Sequence, residues 1–273
     1  MSNLVINGGK KLSGTIVNQT AKNSAVALLC ASVMVKKGKT ILTDVPDIEE
    51  VSRIIELLIS VGVKVERDNK KVIIDASNEL NLDSIDRHAC EVTRSSLMLF
   101  GALSSRVKNY KLYKSGGCHL GERTVRPHIF ALNKLGIDIK SKKDYYEVSN
   151  NDLKAAEIVM YESGDTATEN VIMAAVLSTG TTIVKMAAAN YMVQDLCYFL
   201  VQAGASIGGI GTTTLTIKGV ESLNLEKSYP IMPDPIVAMT YISIAITTNS
   251  HLTVERCPLD FLELELCKLE VMG

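Results

Sequence analysis

Residues 57–65 read LLISVGVKV, and three later stretches share their grammar: ALNKLGIDI at 131–139, FLVQAGASI at 199–207 and KLEVMG at 268–273. Each begins as the apolar end of an amphipathic helix and stops at a glycine, which can take the left-handed conformation that closes a helix. The first three then continue as an alternating strand. Their glycines, Gly62, Gly136, Gly204 and Gly273, stand 74, 68 and 69 residues apart. That period is too long for a solenoid repeat, where about 20–50 residues is usual, and suits a βαβαββ-sized unit.

A second helix recurs with the same period. AKNSAVALLCASVMVKKG (21–38), TRSSLMLFGALSSRV (93–107), TATENVIMAAVLSTG (166–180) and PDPIVAMTYISIAIT (233–247) all start polar and run on apolar. Each is followed by a strand: KTILTDV, YKLYKSG, TTIVKMA and HLTVERC. Alternating strands and helices predict an α/β protein, and the nearly uniform apolarity of these first helices predicts that they are buried on most sides. The first three units are complete. The fourth stops at Gly273, where the others enter a strand, so the expectation is a partial chain.

Composition narrows the function. The 273 residues are 47% apolar, with net charge −1 and a pI near 6.4, so no global positive field draws in nucleic acid or an anionic membrane. Trp is absent and only 5% of residues are aromatic, which also argues against a base-stacking surface. The first twenty residues lack the apolar core of a signal peptide, and no apolar run approaches the roughly 18 residues that span a bilayer. A cytoplasmic protein is expected. Cys30, Cys90, Cys118, Cys197, Cys257 and Cys267 stand far apart without a C-x-x-C pair, and are read as reduced, with neither disulfides nor zinc. The four histidines form no metal-ligand constellation. P-loop, G-x-S-x-G and strand-following G-x-G-x-x-G motifs are missing, and GGIGTTT (208–214) reads as a hairpin turn.

The period has a chemical consequence. Lys22, Arg94, Thr168 and Asp234 fall at or just before the start of the equivalent helix in successive units. Free N–H groups and the positive end of the helix dipole make such starts natural anion sites, and Lys or Arg beside them strengthens the preference. Ordinary capping explains Thr and Asp equally well. A second cluster, SGGCHLGERTVRPH (115–128), is a Gly-rich loop carrying Cys118, Arg123, Arg126 and His128. It suits a segment that closes over a ligand, with a thiol acidified by arginines, or else an exposed turn with a bystander cysteine.

These residues resemble the enolpyruvyl transferase family along essentially the whole chain. The resemblance rests on GGKKLSG with Ala21-Lys22-Asn23, Arg94-Ser95-Ser96, the loop from Gly116 to Arg123, Ala167-Thr168-Glu169-Asn170, Asp195-Leu196, and Pro233-Asp234-Pro235-Ile236 with Thr240. The cysteine loop is similar to that of the branch acting on UDP-N-acetylglucosamine rather than on shikimate 3-phosphate. The resemblance implies an inside-out α/β barrel of βαβαββ units, with residues 22–232 as one domain and 1–21 plus 233–273 as part of a second. It implies transfer of the enolpyruvyl group of phosphoenolpyruvate to the 3-hydroxyl of UDP-N-acetylglucosamine, by addition and then elimination of phosphate, without metal or organic cofactor. Lys22, Arg94 and Arg123 would hold phosphoenolpyruvate. Asn23, Asp234 and the turn at Gly164-Asp165-Thr166 would meet the sugar nucleotide. Cys118 would be the general acid or the thiol that traps substrate, and the site alkylated by fosfomycin-like epoxides.

The chain departs from the family on the nucleotide side. Arg126 stands where the family has Asp, Ser163-Gly164-Asp165-Thr166 replaces its S-V-G turn, and Asn190-Tyr191-Met192 replaces its E-P-E segment. The family's general-base Asp and further arginines lie beyond residue 273, so the resemblance implies that this chain alone does not turn over. Two other readings stay open: transfer to another uridine nucleotide, and a non-catalytic nucleotide-binding paralogue.

Overall fold

The computed structural model describes Asn3, residues 5–115 and residues 124–273. The chain divides into two compact units, Lys22–Ile231 and a smaller one made of Met1–Ala21 with Met232–Gly273. In chain order the first element, β1 (Ser13–Val17), belongs to the smaller unit.

The larger unit is three turns of one pattern. The first comprises α1 (Lys22–Ser32), β2 (Thr40–Thr43), α2 (Glu49–Ser60), β3 (Lys64–Asp68) and β4 (Lys71–Asp75). In the second, α3 (Arg87–Val92) leads to a 3-10 turn (Arg94–Met98) and α4 (Leu99–Ala102), followed by β5 (Asn109–Tyr113), α5 (Arg126–Lys134), β6 (Ile137–Ser141) and β7 (Tyr145–Asn150). The third holds β8 (Glu157–Val159), α6 (Asp165–Ala175), β9 (Thr181–Lys185), α7 (Tyr191–Gln202), β10 (Ser206–Gly208) and β11 (Thr214–Lys218), and β12 (Tyr229–Pro230) follows.

The sheets repeat one order: β12-β2-β4-β3, β5-β7-β6 and β8-β9-β11-β10. Each strand after a first helix pairs antiparallel with the last strand of the hairpin, and β8 and β12 pair parallel with β9 and β2. β12, from the end of the unit, thus supplies the leading strand of the first repeat. Alternating burial along β4, β5 and β11 turns one face of each sheet inward. Inside lie the apolar helices: Ser24–Ser32 of α1, all of α4 and Ala167–Ala175 of α6 are buried. Helices inside and sheets outside make the inside-out α/β arrangement of repeated βαβαββ units.

Local chemistry sets the boundaries. Gly62, Gly136 and Gly204 take φ of +98°, +96° and +102° and end α2, α5 and α7 as the repeat requires. After α2 the Gly62 N–H donates to Ile59 O and the Val63 N–H to Leu58 O, closing the helix carbonyls. Residues 209–213 form the turn between antiparallel β10 and β11.

One expected helix is broken. Residues 93–107 fold as a 3-10 turn and the short α4 because the Asn170 carboxamide enters the ladder. Its Oδ1 accepts the Gly101 N–H at 2.6 Å and its Nδ2 donates to Leu97 O at 3.0 Å, taking both halves of one i to i−4 bond. A Cβ at Gly101 would lie 2.3 Å from Asn170 O, so α4 and α6 approach closely only with glycine there.

In the smaller unit β1 pairs parallel with β13 (His251–Glu255), joined by α8 (Pro235–Thr247) and α9 (Glu263–Met272). Here the expectation of a helix buried on most sides is corrected. Of α8 only Pro235 and Ala238 are buried, and Ile236 and Ile246 are 60% and 54% exposed. Among the described residues of the smaller unit, α8 packs on β13 of the two-stranded sheet. No helix among the described residues is long and apolar enough to cross a membrane.

Candidate functional site

At one end of the larger unit the helix starts are stitched together by side chains. Lys22 is the first residue of α1, and its Nζ lies 3.3 Å from Oε2 of Glu50, the second residue of α2. Glu50 Oε1 accepts the hydroxyl protons of Thr93 and of Ser95, the latter at 2.5 Å. These two residues flank Arg94, the first residue of the 3-10 turn. Arg94 Nη2 donates to Thr124 O at 3.4 Å, and the Thr124 hydroxyl accepts the Arg126 N–H at 3.1 Å as α5 begins.

The line continues across the remaining starts. The Arg126 guanidinium lies 5.2 Å from the Tyr161 ring centroid, a cation–π contact, and Tyr161 also meets Phe130 at 5.9 Å. Tyr161 stands just before Gly164, the N-cap of α6. Asp165 Oδ1 accepts from Asn190 Nδ2 at 2.7 Å, and Asn190 is the N-cap of α7. The next residue, Tyr191, accepts from Asn23 Nδ2 at 3.4 Å through its hydroxyl, returning to Lys22. With the chain itself joining Tyr161 to Asp165, the contacts lead back to their origin, and the positive ends of α1, α2, α5, α6 and α7 share one rim with Lys22, Arg94 and Arg126. This is a surface suited to an anion.

The titratable groups respond to that setting. Burial would lift the Glu50 carboxyl, but the Ser95 and Thr93 hydroxyls and Lys22 outweigh it and hold Glu50 below the usual range. Burial raises Asp165, partly offset by its bond from Asn190. His128, on α5, is pushed down to about 4 by burial and then by Arg94. Its Nδ1 accepts from Asn170 Nδ2 at 3.0 Å, which requires the neutral ring. Glu169 is fully enclosed and pushed up to about 8 by burial and then by Asp165, and its Oε1 finds no partner among the described residues.

Of the residues expected from sequence, Lys22, Asn23, Arg94 and Asp165 take part in these contacts, Gly164 is the N-cap of α6 and Thr166 its second residue. Thr168 does not mark a helix start. It is the fourth residue of α6, completely buried, donating to Gly164 O at 2.9 Å and accepting the Ala188 N–H at 3.1 Å. Asp234 caps α8 in the smaller unit, its Oδ1 accepting from Ile236 N at 2.8 Å and Val237 N at 3.3 Å. Asp195, in α7, receives the Tyr229 hydroxyl at 2.7 Å. Cys118 and Arg123 lie outside the described residues. Cys30, Cys90 and Cys197 are buried free thiols, and burial, ahead of Glu169, pushes the Cys30 and Cys197 thiols up. Sequence reasoning missed Glu50 and Tyr161. The only signal for Glu50 was an acidic first turn, Glu49-Glu50, which ordinary helix preference explains.

Residues 6–273 match the protein family described as EPSP synthase (3-phosphoshikimate 1-carboxyvinyltransferase). The chain is 34% identical over 273 residues to a UDP-N-acetylglucosamine 1-carboxyvinyltransferase 2 from Caldanaerobacter subterraneus, covering 100% of this chain and 65% of the relative. It is 36% identical over 275 residues to the protein of that name from Clostridium tetani, again covering 100% of this chain and 65% of the relative. The chain thus spans 65% of the length of these curated relatives. Among solved structures, the enolpyruvyl transferase NikO from Streptomyces tendae superposes with a TM-score of 0.75 at 22% identity, over 87% of this chain and 56% of that one.

Proposed function

The chain belongs to the EPSP synthase (3-phosphoshikimate 1-carboxyvinyltransferase) family, and from that membership we propose that it serves the transfer of enolpyruvyl from phosphoenolpyruvate to the 3-hydroxyl of UDP-N-acetylglucosamine, with release of phosphate. The observation that carries the proposal is the rim on which Lys22 and Arg94 meet through Glu50. The shikimate acceptor of the family description is set aside because the named relatives act on the sugar nucleotide and because the sequence carries the Cys118 loop.

In this reading Lys22 and Arg94, with Arg123, hold the phosphate and carboxylate of phosphoenolpyruvate. The sugar hydroxyl gives its proton to a base and adds to C2 of phosphoenolpyruvate as a proton is delivered to the C3 methylene; loss of a proton from the resulting methyl, with departure of phosphate from C2, restores the double bond. Fixed cations and helix ends stabilise charge that shifts during the addition, where mobile water would have to reorganise. Cys118 supplies the proton or traps the substrate. Asn23 and the α6 start at Gly164, Asp165 and Thr166 meet the sugar nucleotide, Asp165 as an acceptor for hydroxyls. The reaction would commit the sugar nucleotide to peptidoglycan synthesis in the cytoplasm.

A second acceptor has one feature in its favour. Arg126, where the family carries a carboxylate, is held over Tyr161 at the nucleotide end, an arrangement suited to another uridine nucleotide. Calorimetric titration of the chain with UDP-N-acetylglucosamine and with UMP separates the two. Tighter binding of the sugar nucleotide is expected. Equal or tighter UMP binding transfers the assignment to the second acceptor, and binding of neither overturns both.

A further inference from the structure

Glu50 gathers three residues of the rim, Lys22, Thr93 and Ser95. Its two oxygens are used separately: Oε2 faces the Lys22 ammonium at 3.3 Å, while Oε1 takes the hydroxyls of Thr93 and Ser95. The Thr93 oxygen already accepts the Ser95 N–H at 3.2 Å, so its own proton is directed to Glu50. Every group facing this carboxyl is a donor, which demands an ionised, acceptor-only partner. Lys is a point charge on a four-carbon stem with several rotatable bonds, and it stays 46% exposed here, leaving room for a ligand on its other N–H groups.

We propose that Glu50 is a positioning residue, whose carboxylate ties the Lys22 ammonium to the turn carrying Arg94 and so fixes the spacing of the two cations that receive the substrate's phosphate and carboxylate. The inference rests on the reading of Lys22 and Arg94 as phosphoenolpyruvate ligands. It makes a prediction of sign. Removing a negative charge beside an anion site would by itself tighten anion binding, whereas loosening a cation from its place weakens it.

The test is Glu50→Gln in the full chain, with two readouts. Gln keeps the shape but turns an N–H toward either Lys22 or the two hydroxyls. Calorimetry with phosphoenolpyruvate is expected to show affinity falling about tenfold or more. In 13C-dimethylated protein, the Lys22 methyl signal, identified by Lys22→Arg, is expected to stand apart from those of exposed lysines and to join them in Glu50→Gln. Ser95→Ala keeps the charge and releases the turn end of the tether, so it is expected to weaken phosphoenolpyruvate binding in a chain that folds even if Glu50→Gln does not. Unchanged or tighter binding in these variants, or a Lys22 signal indifferent to Glu50, overturns the proposal. If the unaltered chain binds no phosphoenolpyruvate, the enolpyruvyl reading fails, and the Lys22 signal alone decides whether Glu50 holds the cation.

Discussion

The helices α6 and α8 open successive repeats, and each contradicts its own composition. α6 is buried from Ala167 to Ala175 although Thr168, Glu169 and Asn170 are polar. α8 carries isoleucines at 236, 242, 244 and 246 yet buries only Pro235 and Ala238. What lies against a helix therefore sets its burial, and inside the larger unit α6 has α4, α5 and α7 around it. Its polar side chains persist there because two of them satisfy backbone groups that the packing would strand. Thr168 takes up Gly164 O and the Ala188 N–H, and Asn170 takes up Leu97 O and the Gly101 N–H. Glu169 has no such compensation at Oε1.

The contrast can be broken or sharpened by substitution, with unfolding in urea as the measure. The largest effect is expected for Asn170→Ala, which orphans a buried N–H and a buried C=O and leaves a cavity, a loss of about 3–4 kcal/mol. Ile172→Ala, in the enclosed part of α6, is expected to cost about 3 kcal/mol. An effect of a different kind, dependent on pH, is expected for Glu169→Gln. The folded carboxyl titrates at about 8 against an ordinary value of 4.5. Folding therefore holds the proton, and stability is full below the ordinary value and declines as pH rises through about 8. Glu169→Gln should match the unaltered chain at acid pH and be the more stable of the two above pH 8. Least affected should be Ile246→Ala in α8, at under about 0.5 kcal/mol. A loss there equal to that at Ile172 would sink the comparison.

The repeat was open to reading because it is written locally. An apolar helix end, a glycine with positive φ and an alternating strand are adjacent in sequence, and Gly62, Gly136 and Gly204 behave as their neighbours dictate. The α/β class followed from the same periodicity. The break between Leu97 and Gly101 was not legible, since its cause is a carboxamide about 70 residues away whose insertion depends on how two repeats pack. At the rim, Lys22 and Arg94 stood out by their periodic placement and by resemblance. Glu50 did not, because an acidic residue in a first helical turn is what any surface helix prefers.

The pairing of Ser13–Val17 with His251–Glu255 also governs the order of assembly. β1 waits for a partner more than 230 residues later, while the whole of the larger unit emerges in between. The larger unit closes through contacts inside its own boundaries, including β12 on β2. It can therefore fold on the ribosome, whereas β1 remains an unpaired edge until translation reaches His251. Joining distant segments in parallel is an intrinsically slow step, so β1 with β13 should be the last sheet to gain protection in pulsed hydrogen exchange during refolding.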